Sequence, residues 1–175
     1  LATGFVACCA PRHDAAGING RLRLAFEKGD AAAMRDCLAE GASPDTTDSH
    51  GWPLLLAAAY DGRADLVDVL LKAGANLNPD HLRLTPLQLG CPYADVVDRL
   101  IRGGADVNLA PEGTTVLMSA SIGGYLKSVV LLVDAGADLE RTDPGGLTAA
   151  DHARREGHDE IERFLRTKMR ARPGP

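Results

Sequence analysis

Large aromatic side chains are nearly missing from this chain. Trp, Tyr and Phe together make up 4% of its 175 residues. A core built on aromatic rings is therefore excluded, and Ala and Leu must supply the packing. A basic excess is missing too. The formal net charge is −5 and the pI is near 5.5, which argues against a general binder of nucleic acid or of anionic membranes. No apolar run approaches the roughly 18 residues of a membrane-spanning helix. No cysteine pair shows CxxC or zinc-type spacing among Cys8, Cys9, Cys37 and Cys91, so a structural metal site is not expected. Cys37 and Cys91 lie in apolar stretches and read as small buried residues. No Gly-rich loop follows a strand, and no nucleophile, base and orienting group fall into a recognisable set. Catalytic residues, metal ligands and cofactors are therefore not expected.

What is present is repetition. A Gly follows an amphipathic run four times, in "LAEGASPD", "LKAGANLN", "IRGGADVN" and "VDAGADLE", at Gly41, Gly74, Gly104 and Gly136. The spacings are 33, 30 and 32 residues. Paired short apolar runs precede each Gly, such as "LLLAAA" then "DLVDVLL". In the second run Leu66, Val69 and Leu70 recur at helical spacing. The Gly fits a helix C′ position in the left-handed region. A period of 30–33 residues marks a stack of repeats, each unable to bury its apolar face alone.

The phrases "TPLQL" at 85–89, "DSHGWPLLLAA" at 48–58, "DPGGLTAADHA" at 143–153 and "REGHDEI" at 155–161, with the four Gly turns, resemble the ankyrin repeat. The resemblance covers residues 18–166. It implies an all-α solenoid of about five helix-turn-helix repeats joined by β-hairpin fingers. Residues 1–17 form an N-terminal tail, 18–166 the repeat domain and 167–175 a disordered C-terminal tail. The chain departs from the family pattern in its Thr-Pro-Leu-His box, which survives best at Thr85-Pro86-Leu87 with Gln88 in the His place. Most inter-repeat hydrogen bonds of that box should therefore be lost. Repeat three is about two residues short between its helices, and the fingers after Gly74 and Gly104 are each one residue short.

The tail "LATGFVACCAPRHDAAG" stands apart. Its "FVAC" resembles the end of a bacterial lipoprotein signal peptide, which makes Cys8 the lipidated residue and the protein periplasmic and lipid-anchored. Phe5 departs from that motif. The competing reading is a disordered arm on a cytoplasmic protein.

In the resembled fold the concave face is built from finger residues and from the outward end of each first helix. Carried over, that face holds His50, Trp52, Tyr60 and Asp61 in repeat two. It holds Leu82, Leu84 and Tyr93 in repeat three, Glu112, Thr114 and Ile122 in repeat four, and Leu147 in repeat five. Tyr60, Tyr93 and Tyr125, 33 and 32 residues apart, form a ladder along one rim. Tyr125 also fits the family's usual His place, packing on the next repeat. Trp52 and Tyr60 are the expected anchors, because Trp and Tyr bury large area at low entropic cost. The surrounding Asp45, Asp48, Asp61, Asp65 and Asp68 suit a basic partner surface or serve as solvated caps. His50 and His81, in adjacent fingers, would need Asp48 or Asp80 as a further ligand to hold a metal.

The expected function is thus non-catalytic: recognition of one specific protein through the concave face, by a chain that is a monomer when free. It binds no nucleic acid, and touches a membrane only through an N-terminal lipid. An immunity protein neutralising a cognate toxin is the sharper form of this reading. The alternatives are an intracellular regulatory or scaffolding protein, or a periplasmic accessory partner of an enzyme such as catalase.

Overall fold

The computed structural model describes residues 15–79 and 83–171. Ten α-helices fill these segments and pair off along the chain: α1 (Ala15–Lys28) with α2 (Ala31–Ala39), α3 (Leu54–Tyr60) with α4 (Ala64–Lys72), α5 (Pro86–Leu89) with α6 (Ala94–Arg102), α7 (Val116–Ile122) with α8 (Leu126–Asp134), and α9 (Ala149–Arg155) with α10 (Asp159–Ala171). The chain is an all-α solenoid of two layers. One layer runs α3, α5, α7, α9 and the other α2, α4, α6, α8, α10, each helix packed on the next.

Local chemistry explains the helix ends. Gly41, Gly74, Gly104 and Gly136 have φ of 102, 82, 93 and 90°, as expected of C′ residues, where a side chain would strain the backbone. Asp30 caps α2 by accepting from the N–H groups of Ala32 and Ala33. Thr85 and Thr148 form capping boxes with Gln88 and Asp151. The core is aliphatic along its whole length, with Leu22, Leu55, Leu70, Val97, Leu117, Leu132 and Leu165 almost completely enclosed. Cys37 and Cys91 are buried free thiols. Burial pushes the Cys91 thiol up to about 12, which keeps it protonated and unreactive.

The repeat boundaries differ from the sequence expectation at both ends. Helix α1 begins at Ala15 rather than near Ile18, and α10 continues to Ala171 across the boundary drawn at Arg166. The extra turn of α10 is held by Met169 packed on the core and by the Thr167 hydroxyl donating to the Arg163 carbonyl at 2.8 Å. The fingers also differ from one another. Among the described residues, antiparallel pairing is confined to two isolated bridges, Thr47 with Pro53 and Thr142 with Thr148. These are the two fingers of full length. The shorter third finger folds instead into a 3-10 turn, Pro111–Gly113.

Repeat three is short in its first helix, as α5 is a single turn while α3, α7 and α9 each span 7 residues. The box hydrogen bond is not lost there. Gln88 Nε2 donates to the Thr114 carbonyl at 2.9 Å and ties repeat three to the next finger.

Candidate functional site

The first finger is organised by one carboxylate. Asp48 Oδ1 accepts the N–H of His50 at 2.8 Å and of Trp52 at 2.9 Å, and the Asp48 N–H donates to the Trp52 carbonyl at 2.8 Å. This turn delivers Trp52 onto the end of α3. Its ring meets that of Tyr60 edge-on, with centroids 5.8 Å apart and planes at 66°, the geometry that ring quadrupoles favour.

Behind the finger lies a groove of about 510 Å³, bounded by Phe26, Trp52, Ala57 and Tyr60 with the carboxylates of Glu27, Asp48 and Asp61. Arg63 closes one side. Its guanidinium sits 4.7 Å from the Phe26 ring centroid and donates to the Phe26 carbonyl at 2.8 Å. That cation is held by its own wall, so the face presented to solvent is aromatic and acidic.

Four of the expected residues, His50, Trp52, Tyr60 and Asp61, thus converge on one groove. Tyr60 is 58% exposed. Trp52 is half-buried and packs on the core, so it is part wall and part surface rather than the fully outward side chain that was expected. Leu84 and Glu112 meet at a second hollow between the middle fingers, where Arg83 pairs with Glu112. Thr114 is half-buried, with its carbonyl occupied by Gln88. Ile122 is exposed on its own, and Leu147 is half-buried, its N–H donating to Asp143. Leu82, His81, Asp80 and Cys8 lie outside the described residues, and with them the His50–His81 metal arrangement and the lipid site. Among the described residues no group of three or more His, Cys, Asp or Glu is placed to hold a metal ion, and no helix is long and apolar enough to cross a membrane.

The three tyrosines do not form one ladder. Tyr93 and Tyr125 are the N-caps of α6 and α8, whereas Tyr60 is the last residue of α3. The residue of repeat two that matches them is Arg63, and in the last repeat it is His158. The equal spacing was produced by the shortened α5. The real row is Arg63, Tyr93, Tyr125, His158. Three of its members reach back to the preceding repeat: Arg63 over Gly29, Tyr93 over Gly62 and His158 over Gly124. His158 Nε2 also donates to the Ile122 carbonyl at 3.0 Å. Phe26, Glu27 and Arg63 were missed as groove residues. Aligning on the helix start rather than on Tyr would have exposed Arg63.

A family model for ankyrin repeats (three copies) matches residues 22–110 and 90–173. The chain belongs to the ankyrin-repeat family. This ankyrin stack is similar to the ankyrin repeat and KH domain-containing protein mask-1 of Caenorhabditis elegans, 33% identical over 153 residues that span 84% of this chain and 6% of that protein. It is similar to cyclin-dependent kinase inhibitor 2A of Homo sapiens, 35% identical over 116 residues, 64% of this chain and 74% of the relative. It is also 34% identical over 115 residues to cyclin-dependent kinase 4 inhibitor B of Mus musculus, covering 63% and 88%. The family and the inhibitor relatives fit a non-enzymatic module that binds a protein partner.

Proposed function

We propose that this ankyrin stack binds one specific protein through its concave face, with the groove between α1, the first finger and α3 as the anchor. The observation that carries the reading is the Trp52–Tyr60 pair: two large rings in mutual contact, one of them 58% exposed, in a chain that has only seven aromatic residues. Trp and Tyr at the edge of a hollow are residue types in which binding hot spots are enriched. The names of two relatives describe inhibitors of kinases, which favours a partner held in an inactive state by occlusion. An immunity protein that neutralises a cognate toxin is the form of that reading we favour, with a lipid on Cys8 holding it at a periplasmic membrane face. The test is affinity capture from the native host, beginning with the product of the neighbouring gene, followed by titration of the captured partner with Trp52→Ala and Tyr60→Ala. Each should weaken binding by about 2 kcal/mol or more. Unchanged affinity for both variants would remove the groove from the recognition surface.

A further inference from the structure

The last finger shows what the first one lacks. Asp143 occupies the place of Asp48 and makes the same two bonds, its Oδ1 accepting from the N–H of Gly145 at 2.8 Å and of Leu147 at 2.9 Å. Its second oxygen, Oδ2, is filled from within, by Nε2–H of His152 at 2.9 Å. His152 stands nine residues after Asp143, on α9. Nine residues after Asp48, on α3, stands Ala57, which has no donor. Among the described residues no hydrogen bond reaches Asp48 Oδ2. The Nδ1 of His50 is 3.7 Å away, beyond hydrogen-bond reach, on a side chain that is 82% exposed. The Asp48 side chain is itself 14% exposed and borders the groove together with Ala57, Trp52 and Tyr60.

We infer that the first-finger groove is a slot for an arginine side chain of the partner protein, whose guanidinium takes the place that the His152 imidazole fills in the last repeat. The inference rests on the groove reading above and adds the chemistry of the occupant. Three facts support it. The carboxylate is held in position by two backbone N–H groups, so little is lost in orienting it. Ala57, a buried residue on the groove lining, carries no side chain that could reach the carboxylate from within. The walls are aromatic rings, on which a planar guanidinium stacks while its fork reaches a carboxylate, an arrangement a lysine ammonium cannot match. Glu27 and Asp61 add negative charge at the margin, and Arg63 in the wall is already committed to Phe26.

Trp52 is the sole Trp of the chain, so its fluorescence reports on this groove alone. The probes are acetyl-Ala-Arg-Ala-amide and the same tripeptide with citrulline, a neutral group of the same shape. The arginine peptide should change Trp52 fluorescence saturably, and the citrulline peptide should bind about tenfold or more weaker. Asp48→Asn keeps the Oδ1 acceptor for the finger but removes the charge and replaces Oδ2 with a donor. Ala57→His supplies an internal donor like that of the last repeat. Each should weaken the arginine peptide about tenfold or more, with helical circular dichroism unchanged. Equal binding of the two peptides, an unaffected Asp48→Asn protein, or no saturable change up to about 10 mM peptide would overturn the inference. The captured partner separates the two readings. If Trp52→Ala weakens it and Asp48→Asn does not, the groove stands and the arginine slot falls. If neither variant weakens it, both fall.

Discussion

The phenol ring of Tyr93 lies across the α-carbon of Gly62. A Cβ added to that Gly would come within 2.6 Å of two ring carbons, and the residue has φ +71°. The turn of repeat two is thus the seat for the row member of repeat three, Tyr93. Gly62→Ala carries two penalties, left-handed strain of about 1 kcal/mol and overpacking of about 1–3 kcal/mol. The variant should lose roughly 2–4 kcal/mol in denaturant unfolding. Tyr93→Ala introduced alongside it should recover the overpacking part and leave the strain. A Gly62→Ala protein as stable as the parent would show that the ring has room to move.

Leu70 and Trp52 should separate packing from recognition. Leu70 is fully enclosed, so Leu70→Ala should cost roughly 2–5 kcal/mol through the cavity it leaves. Tyr60→Ala should cost about 0.5–1.5 kcal/mol, the size of one edge-on aromatic contact. Trp52→Ala should fall between them, because the ring is half-buried and packs on the core. Thermal melts of the three variants give the order. A Trp52→Ala loss equal to that of Leu70→Ala would make the ring a core element first and a contact residue second.

Acid should loosen the last repeat. The Leu147 N–H, the His152 side chain and the Gly145 N–H all bond to the Asp143 carboxylate and hold it below the usual carboxylate range. Asp151 is lowered in the same direction, first by the Thr148 hydroxyl and N–H and then by Arg166. Both carboxyls bind protons more weakly folded than unfolded. Their stabilisation is complete above the unfolded value of about 4 and is lost as pH falls through the folded values. Melting temperature should therefore hold steady near neutrality and drop below about pH 4. Asp143→Asn should melt lower at pH 7 and show a shallower acid slope. An identical slope would mean that Asp143 does not contribute to the acid limb.

Arg83 holds φ +52° without being glycine. Its counterparts at the same distance before the helix in the other fingers are Gly51, Gly113 and Gly146, all with positive φ. The strain of about 1–2 kcal/mol exceeds what an exposed ion pair such as Arg83–Glu112 returns, about 0–1 kcal/mol. Arg83→Gly should therefore raise stability by about 0.5–1 kcal/mol, read as a shift of the denaturant midpoint at constant slope. A lower midpoint would mean that the pair with Glu112 outweighs the backbone.

The architecture was legible in the sequence because its markers are local. A Gly after an apolar helix face needs no distant partner to be read, and all four in the expected set adopt positive φ. The site was legible only in part. His50, Trp52, Tyr60 and Asp61 come from one continuous stretch, and the repeat carries them to one place. Phe26, Glu27 and Arg63 come from other elements, and chain distance hid them. The tyrosine spacing misled because a two-residue deletion in one helix shifted the register by enough to imitate a repeat. The contrast between Asp48, with Ala57 nine residues on, and Asp143, bonded to His152, lies between two distant fingers, and either phrase alone looks ordinary.

The single-turn α5 has a further consequence, for cooperativity. In a linear stack each repeat is stabilised by its own folding and by the two interfaces it shares with its neighbours. Helix α5 brings four residues to interfaces where α3, α7 and α9 each bring seven, so the first-helix layer is thinnest at repeat three. Cooperativity across repeat three is therefore carried mainly by the second-helix layer, where α6 packs on both α4 and α8.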